Sequence, residues 1–289
     1  MGVKASDVAV HDAATVMLVR DAPGLEVFMV RRNPRSVFVP GAYVFPGGRV
    51  DQGDVAAPIL DRATGVEREA ADAVLGTDAA RRFWVAAVRE SFEEAGVLLA
   101  RARIGHAVFA PTDAARTSLA RERTRLLAGE TDLPAVLDAH DAVLDLGALV
   151  PFARWITPEG APRRFDTWFF VAPAPDGHAY EHDDDEMVAS EWLHPDHALE
   201  RARAGDIELI YPTIRSLLVM RRYPSSAAFL AAARERWNAP GALRVMDVEQ
   251  GWQLDLTSDA EHRADNDASS FVLGMERAGL RASRAAVGG

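Results

Sequence analysis

Three glutamates fall within five residues of this chain, at positions 90, 93 and 94. On a helix, spacings of three and four residues place Glu90, Glu93 and Glu94 on one face, where their carboxylates converge. Like charges this close repel one another unless water or a divalent cation neutralises them. Carboxylate oxygens suit Mg²⁺ and Mn²⁺, and such ions cancel phosphate charge and lower the pKa of a bound water. The spacing therefore points to chemistry at a diphosphate, with a solvated, charge-rich helix face as the alternative.

The flanking sequence predicts the elements that position these carboxylates. The segment 83–95 has the pattern of an amphipathic helix, and Gly96 is suited to cap its C-terminal end. Upstream, a short strand over 42–45 leads into Pro46, Gly47 and Gly48, where glycine permits backbone shapes that other residues avoid. The helix must return to this glycine-rich loop for the two segments to form one site.

Together the two segments resemble the Nudix box, which in that family of hydrolases reads GxxxxxE, seven residues, then REUxEExGU with U an aliphatic residue. Gly48 is followed after five residues by Asp54, and 89–97 supplies the second half. The sequence departs from the family pattern in three ways: 34 residues separate Asp54 from Arg89 instead of seven, Asp54 replaces a glutamate, and Ser91 replaces an aliphatic residue. Two linked motifs rarely coincide by chance, so the resemblance to Nudix hydrolases is specific.

The resemblance implies a role for each matching residue. The catalytic set is Arg89, Glu90, Glu93 and Glu94. The implied ligands of Mg²⁺ or Mn²⁺ are Glu90 and Glu94, with Glu93 as a third and the carbonyl of Gly48. The supporting residues are Asp54, Gly47 and Gly96. In the family the arginine pairs with the first carboxylate of the box, so we expect Arg89 to orient the loop through Asp54 and not to touch substrate.

The general base differs among Nudix subfamilies, being either a box glutamate or a carboxylate in a later loop. Four consecutive acids, Asp183 to Glu186, lie in a suitable loop before a predicted strand, although a solvated acidic loop is the alternative. His182, His194 and His197 have a spacing that fits no zinc motif, so we do not expect them to be metal ligands.

The insertion inside the box, flanked by 40–48 and 89–99, resembles the Nudix branch that includes coenzyme A and acyl-CoA diphosphatases, and the segments 155–158 and 163–170 agree with that branch. This likeness covers roughly residues 14–222 and implies cleavage of coenzyme A to 3',5'-ADP and a 4'-phosphopantetheine product. A diphosphatase of ADP-ribose, NADH or another nucleoside diphosphate derivative is an alternative with the same metal helix. A non-catalytic Nudix-fold nucleotide sensor is a second alternative, which the complete acidic set disfavours.

Several arginines could bind the phosphates of such a substrate, because a guanidinium fork matches phosphate oxygens. The candidates are Arg31, Arg32, Arg35, Arg163 and Arg164. Ordinary surface arginines are the alternative for each. Trp155, Trp168 and Trp192 are expected in the core or the wall of a pocket more than as stacking platforms.

Composition limits the class of protein. With 289 residues, 48% hydrophobic and 26% charged, the chain has the balance of a soluble globular enzyme. A net charge of −11 disfavours nucleic acid as a partner, and the absence of cysteine removes thiolate nucleophiles and sulfur-ligated zinc. No apolar run approaches the roughly 20 residues of a membrane span. We therefore expect a cytoplasmic enzyme that acts on a small nucleotide diphosphate away from membranes, and the family resemblance allows a homodimer.

The pattern of strands and helices predicts an α/β (α+β) protein, and the family resemblance implies the Nudix fold, a mixed β-sheet sandwiched between helices. Predicted strands cover 14–20, 25–32, 42–45, 152–156, 166–171 and 187–193. Predicted helices cover 83–95, two stretches within 111–140, and then 200–204, 211–222 and 225–237. We expect a single domain over 1–255, with helical insertions at about 55–82 and 111–141. The second insertion has no catalytic spacing and is interpreted as a decoration. A β-like piece is predicted near 243–248, and residues 256–289 are expected to form a partly disordered tail.

Overall fold

The computed structural model describes residues 8–36, 39–157 and 163–238, of which 236–238 are described for the backbone alone. The strands are β1 (Val10–Asp21), β2 (Leu25–Arg32), β3 (Tyr43–Val44), β4 (Gly47–Arg49), β5 (Ala63–Thr64), β6 (Ala100–Ala102), β7 (Ala142–Asp145), β8 (Val150–Ile156), β9 (Arg164–Pro173) and β10 (Met187–Leu193). The helices are α1 (Ala57–Leu60), α2 (Arg68–Leu75), α3 (Arg81–Ala95), α4 (Asp113–Leu127), α5 (Leu133–Ala139), α6 (Pro195–Ala204), α7 (Tyr211–Met220) and α8 (Ser226–Asn238).

Seven strands form the central sheet, in the order β10-β2-β1-β9-β8, with β3 attached to β2 and β4 attached to β1. β1 and β9 run parallel over ten residue pairs, and the other pairings are antiparallel. The sheet is mixed, as predicted. One edge of β1 is shared: its residues 13–15 pair with β4, and its residues 19–21 pair with β2. This division brings the glycine-rich segment to the middle of the sheet.

The two faces of the sheet are covered by different helices, because side chains along a strand alternate between its faces. In β1, Val16 and Leu18 belong to the cluster that contains the buried side of α3, whereas Met17 and Val19 belong to the cluster that contains residues of α6, α7 and α8. The sheet therefore lies between two helical layers, and this part of the predicted fold is confirmed.

α3 has 15 residues and matches the predicted helix with two more residues at its start. It has no internal glycine or proline, and Trp84 packs against Phe170 of β9 with ring centroids 4.9 Å apart. The helix ends where predicted, at Gly96, whose φ of +67° is readily adopted only by glycine. Its last turn is closed by hydrogen bonds from Gly96 N–H to Phe92 and from Val97 N–H to Ser91.

Both predicted insertions contain helices: α1 and α2 lie within 55–82, and α4 and α5 lie within 111–141. The second sheet, with the order β5-β7-β6, was not predicted. Its strands have two to four residues, too few to establish a period-two pattern. The glycine-rich segment was predicted as a loop, and the structure corrects this because 47–49 form β4 against β1. The predicted piece at 243–248 and the tail at 256–289 lie outside the described residues.

Within the described ranges, no helix is both long enough and apolar enough to cross a membrane.

Candidate active site

The acidic face of α3 lies directly against the segment of the two glycines. The backbone N–H of Gly47 donates to Glu94 Oε2 at 2.8 Å. A Cβ atom added to Gly48 would lie 2.4 Å from Glu90 Oε1, closer than real Cβ contacts. A side chain at position 48 would therefore displace the Glu90 carboxylate, and glycine lets that carboxylate pack directly against the backbone. The return of the helix to this segment, on which the sequence interpretation depends, is present in the structure.

Arg89 joins the loop to the helix, as the resemblance implied. Its Nε and Nη2 donate to the two carboxylate oxygens of Asp54 at 3.0 and 3.1 Å, which makes a bidentate pair. Nη1 donates at 2.8 Å to both Glu90 Oε1 and Glu93 Oε2, and Nη2 reaches the carbonyl of Arg49 at 2.7 Å. This one arginine therefore links three carboxylates to the backbone carbonyl at the end of β4, which holds the glycine-rich segment in place.

The loop that carries Asp54 is closed by short local hydrogen bonds. Asp51 N–H donates to Asp54 Oδ2 at 2.9 Å, and Asp51 Oδ1 accepts from Gly53 N–H at 2.7 Å. Asp51 Oδ2 also lies 3.6 Å from Arg89 Nε. Asp51 was not singled out in the sequence, although its place in an Asp-Gln-Gly-Asp turn inside the box was a usable signal.

Burial dominates the electrostatics of the site. Glu90 and Glu94 are 8% and 4% exposed. Desolvation raises the pKa of Glu90 to about 7 even though Arg89 acts in the opposite direction. Desolvation and the adjacent Glu90 carboxylate raise the pKa of Glu94 well above its usual range. Two carboxylates are therefore held where their negative charge is costly, which is the condition that a bound cation relieves.

The donor set fits a small divalent cation that keeps part of its water shell. Within the described ranges, no three carboxylate or imidazole groups converge closely enough to hold an ion by themselves. Glu90 and Glu93 both accept from Arg89 Nη1, but only Glu90 and Glu94 also lie against the Gly47-Gly48 backbone, so these two carboxylates form the set beside the glycines. Mg²⁺ commonly binds through one or two carboxylates and retains several waters, and it uses substrate phosphate oxygens as further ligands.

A cleft of about 1080 Å³ opens over this site. Box residues on its floor are Gly47, Gly48, Arg89, Glu90, Glu93 and Glu94. Its lining also includes apolar and aromatic residues, among them Trp155, Phe169 and Ile210. The cleft therefore combines a charged floor with an apolar wall, as expected where a large ligand has a charged centre and less polar ends.

The predicted phosphate-binding arginines divide into two groups. Arg32 and Arg163 line the cleft. Arg31, Arg35 and Arg164 are not among its lining residues; Arg31 Nε donates to the carbonyl of Gly41 at 3.3 Å, and Arg164 Nε donates to that of Thr157 at 3.0 Å. Side chains alternate between the two faces of β2, and the chain turns after Arg32. Arginines that are neighbours in sequence therefore point in different directions, and the sequence alone could not show which of them line the cleft.

The acidic loop reaches the cleft with three of its four carboxylate residues, Asp183, Asp185 and Glu186. Asp183 Oδ1 accepts the N–H groups of Asp185 and Glu186 at 2.7 and 2.6 Å, so this side chain shapes the loop. Asp184 is 88% exposed and pairs with His182 at 3.0 Å. Glu186 lies near enough to Glu94 to raise the pKa of that carboxylate.

The remaining histidines have structural contacts away from the cleft. His194 Nδ1 accepts from the N–H of Asp196 at 3.2 Å and caps the start of α6. His197 lies beside it with ring centroids 5.4 Å apart. Trp168 and Trp192 pack against Phe83 and Phe28, whereas Trp155 contributes to the cleft wall.

Sequence reasoning missed the wall of the cleft formed by the start of α7. Ile210, Pro212 and Thr213 line it, and Thr213 is 1% exposed. The only local signal was a proline at the start of a helix, which marks the helix boundary and carries no functional information.

A mixed sheet between two helical layers, with an acidic helix returned to a Gly-Gly segment, is the architecture that the box predicted. The sequence model of the family described as NUDT19 Nudix domain matches residues 57–220, which is more than half of the chain. The chain therefore belongs to the Nudix hydrolases, in the NUDT19 branch. It is an enzyme of a family that hydrolyses diphosphate bonds and generally uses divalent metal ions.

The chain is also similar to individual proteins. It is 32% identical over 225 residues to the human acyl-coenzyme A diphosphatase NUDT19, covering 66% of this chain and 59% of that protein. The Gallus gallus protein of the same name is 28% identical over 260 residues, covering 74% of this chain and 69% of that protein. A solved Nudix hydrolase from Alicyclobacillus acidocaldarius superposes with a TM-score of 0.67 at 30% identity, over 78% of this chain and 97% of that chain.

Proposed function

We propose that the chain is a Mg²⁺- or Mn²⁺-dependent diphosphatase that cleaves coenzyme A or acyl-CoA to 3',5'-ADP and a 4'-phosphopantetheine product. The observation that carries the proposal is the pair of buried carboxylates, Glu90 and Glu94, held against the Gly47-Gly48 backbone. When bound there, a divalent ion would cancel charge on the diphosphate and lower the pKa of a water for attack. Glu90, Glu94 and the Gly48 carbonyl are its proposed ligands, and Glu93 joins them when it leaves Arg89.

The cleft supports a substrate of this size and polarity. Its volume of about 1080 Å³ is at the upper end of ligand pockets, which suits a nucleotide with a long second arm. Arg32 and Arg163 line it and provide guanidinium groups for phosphates, while Trp155 and Phe169 offer an apolar surface. The names of the human and chicken relatives favour acyl-CoA over other diphosphates for the same cleft.

Glu186 is the proposed general base. Asp183 is bound to the backbone of its own loop and Asp184 to His182. Asp185 and Glu186 both line the cleft, and of these two Glu186 is the one whose charge acts on Glu94. In the proposed step Glu186 takes the proton of the water whose oxygen attacks phosphorus, and the bridging P–O bond breaks with the other phosphate as leaving group. Arg89 keeps its hydrogen bonds to Asp54 during this step and holds the loop in position against α3.

A substrate panel tests the proposed chemistry. Purified protein with Mn²⁺ or Mg²⁺ is expected to release 3',5'-ADP from coenzyme A and from a medium-chain acyl-CoA, identified by mass spectrometry of the products. We expect kcat/KM for these substrates to exceed that for ADP-ribose and NADH by at least about tenfold, since each 1.36 kcal/mol of better transition-state binding is worth a factor of ten. Faster turnover of ADP-ribose or NADH would contradict coenzyme A as the substrate but would still support hydrolysis of a diphosphate bond.

Metal binding can be measured without turnover. A ligand that binds only the folded state at about 100 times its Kd stabilises that state by about 2.7 kcal/mol. For a domain of this size, that gain corresponds to a rise in the unfolding midpoint of about 5–10 °C. We expect such a rise with Mn²⁺ relative to EDTA, its loss in Glu94→Gln, and its retention in Glu69→Gln, a matched exposed glutamate on α2. An equal rise in wild type and Glu94→Gln would place the ion elsewhere.

A further inference from the structure

The C-terminal end of α3 has carbonyl groups with no partner inside the helix, as every helix end does. Two of them are satisfied by other parts of the chain. Arg123 Nε, from the inserted helix α4, donates to the carbonyl of Glu93 at 2.8 Å. The N–H of Glu181 donates to the carbonyl of Ala95 at 3.1 Å. The free carbonyls at the end of α3, the helix that carries the proposed metal ligands (the metal-site helix), are therefore hydrogen-bonded by the second insertion and by the loop that contains the acidic residues.

The same arginine also holds that loop. Nη1 of Arg123 donates to the carbonyl of Glu181 at 2.9 Å and lies 3.4 Å from that of His182. One planar group thus contacts the backbone of Glu93, next to Glu94, and the backbone immediately before Asp183. The guanidinium of Arg123 and the hydrogen bond from Glu181 N–H to the Ala95 carbonyl together fix the loop against the end of α3.

We infer that Arg123 is a positioning residue, which fixes the acidic loop against the end of the metal-site helix so that Glu186 faces Glu94. The inserted helix α4, interpreted from sequence as a decoration, is by this inference a working part of the catalytic site. The effect on catalysis rests on the proposed function, whereas the effect on the loop does not.

The surroundings of Arg123 favour this role over that of a surface arginine. Its Nη2 is buried and lacks a hydrogen-bond partner among the described residues, so the side chain has been taken out of water. Burial lowers the pKa of its guanidinium, and the nearby acids, Asp183, Glu181 and Glu94, act in the opposite direction. Arginine stays charged in such places, and its positive charge offsets part of the negative charge that the loop and the helix bring together.

Lysine could not replace these contacts. A guanidinium presents its donors in a rigid fork, and here Nε and Nη1 point to carbonyls of two different elements. An ammonium group is a point charge and would satisfy one element at a time. The Lys variant keeps the positive charge and loses the fork of donors, so it separates the effect of the charge from the effect of the donor geometry.

The test uses Arg123→Met and Arg123→Lys in the full chain, with Arg121→Met as the matched control on the same helix. The Arg121 side chain is 70% exposed, so its removal reports the general effect of losing a cation from α4. Hydrogen exchange of the backbone amides in 181–187 is expected to rise at least about fivefold in Arg123→Met, since the loop loses its side-chain anchor to α3 and keeps only the hydrogen bond from Glu181 N–H to Ala95. We expect exchange within residues 84–92 of α3 to stay at the wild-type level.

Kinetics give the second readout. For groups that support metal ligands, removal commonly costs about 10- to 100-fold in activity. We expect kcat of Arg123→Met to fall by about tenfold with KM changed less than about threefold, partial recovery in Arg123→Lys, and wild-type values in Arg121→Met.

Three results would overturn the inference: wild-type exchange in 181–187 for Arg123→Met, an equal loss of activity in Arg121→Met, or full recovery in Arg123→Lys. Should Arg123→Met not fold, the exchange of the Lys variant decides alone, because unchanged exchange there contradicts the role of the fork. The exchange measurement needs no substrate, so a failure of the proposed coenzyme A activity leaves it valid and distinguishable.

Discussion

Glu94→Gln is expected to lower kcat about 100- to 1,000-fold in saturating Mn²⁺ or Mg²⁺, with little change in the fold. An ion of this kind supplies several kcal/mol of stabilisation to the charge of the transition state, and each 1.36 kcal/mol is a factor of ten in rate. The amide of glutamine keeps an oxygen that can accept the N–H of Gly47, which in the wild type is 2.8 Å from Glu94 Oε2. The substitution therefore removes a charge and leaves the hydrogen bond. Rates would be measured by release of 3',5'-ADP or, on another diphosphate, of its nucleoside monophosphate.

The same variant should be no less stable than wild type when metal is absent. Glu94 is 4% exposed, and its pKa is raised well above the usual range by burial and by Glu90, so its negative charge is unfavourable in the metal-free fold. In EDTA we expect the unfolding midpoint of Glu94→Gln to equal or exceed that of wild type. The control, Glu69→Gln on the exposed face of α2, should keep wild-type rates. A rate within threefold of wild type would remove Glu94 from the mechanism, and a fall in the midpoint would reassign the loss to folding.

The arrangement of the acidic residues was predictable from the sequence because it depends on local spacing. Glu90, Glu93 and Glu94 share a helix face by the geometry of the helix alone, and the glycines mark a segment with a backbone shape that other residues avoid. The structure adds the reason for Gly48, since the Glu90 carboxylate lies where a Cβ would be. It also shows that Glu90 and Glu93 both accept a hydrogen bond from Arg89. The ligand roles themselves stay predictions until an ion is measured.

The fold was predictable to the extent that its elements are long. β1, β2, β9 and β10 carry alternating or continuous apolar patterns, and their predicted and observed ranges overlap over most of their length. The small sheet of β5, β6 and β7 escaped prediction because segments of two to four residues are stabilised by their partners and have no pattern of their own.

Features that join distant segments could not be read from one sequence. The contact of Arg123 with Glu93 and Glu181 spans 30 and 58 residues and consists of hydrogen bonds to backbone carbonyls, which leave no trace in residue type. The same holds for the cleft wall at the start of α7. Arg89 and Asp54 were paired correctly across the insertion only because the family resemblance connected them.

Removing Arg89 should cost more stability than any other single change discussed for this site. Asp54 is 1% exposed, and Arg89 Nε and Nη2 are its charged partners at 3.0 and 3.1 Å. Removing one member of a buried ion pair typically costs about 3–5 kcal/mol, because the other charge is left uncompensated. Arg89→Met also removes the cation between Glu90 and Glu93. We expect the free energy of unfolding, measured by urea denaturation in EDTA, to fall by about 3–5 kcal/mol.

A double-mutant comparison separates the uncompensated charge from a loss of packing. The pKa of Asp54 is raised by desolvation despite the opposing effect of Arg89, so pairing does not fully offset the cost of burying this carboxylate. Replacing both partners, as in Arg89→Met with Asp54→Leu, should therefore be less destabilising than Arg89→Met alone, because no unpaired carboxylate remains at position 54. The control is Arg68→Met in the exposed pair with Asp72, where a change within about 0.5 kcal/mol is expected. If the double variant loses as much free energy of unfolding as Arg89→Met and Asp54→Leu lose together, packing and not charge holds the loop to the helix.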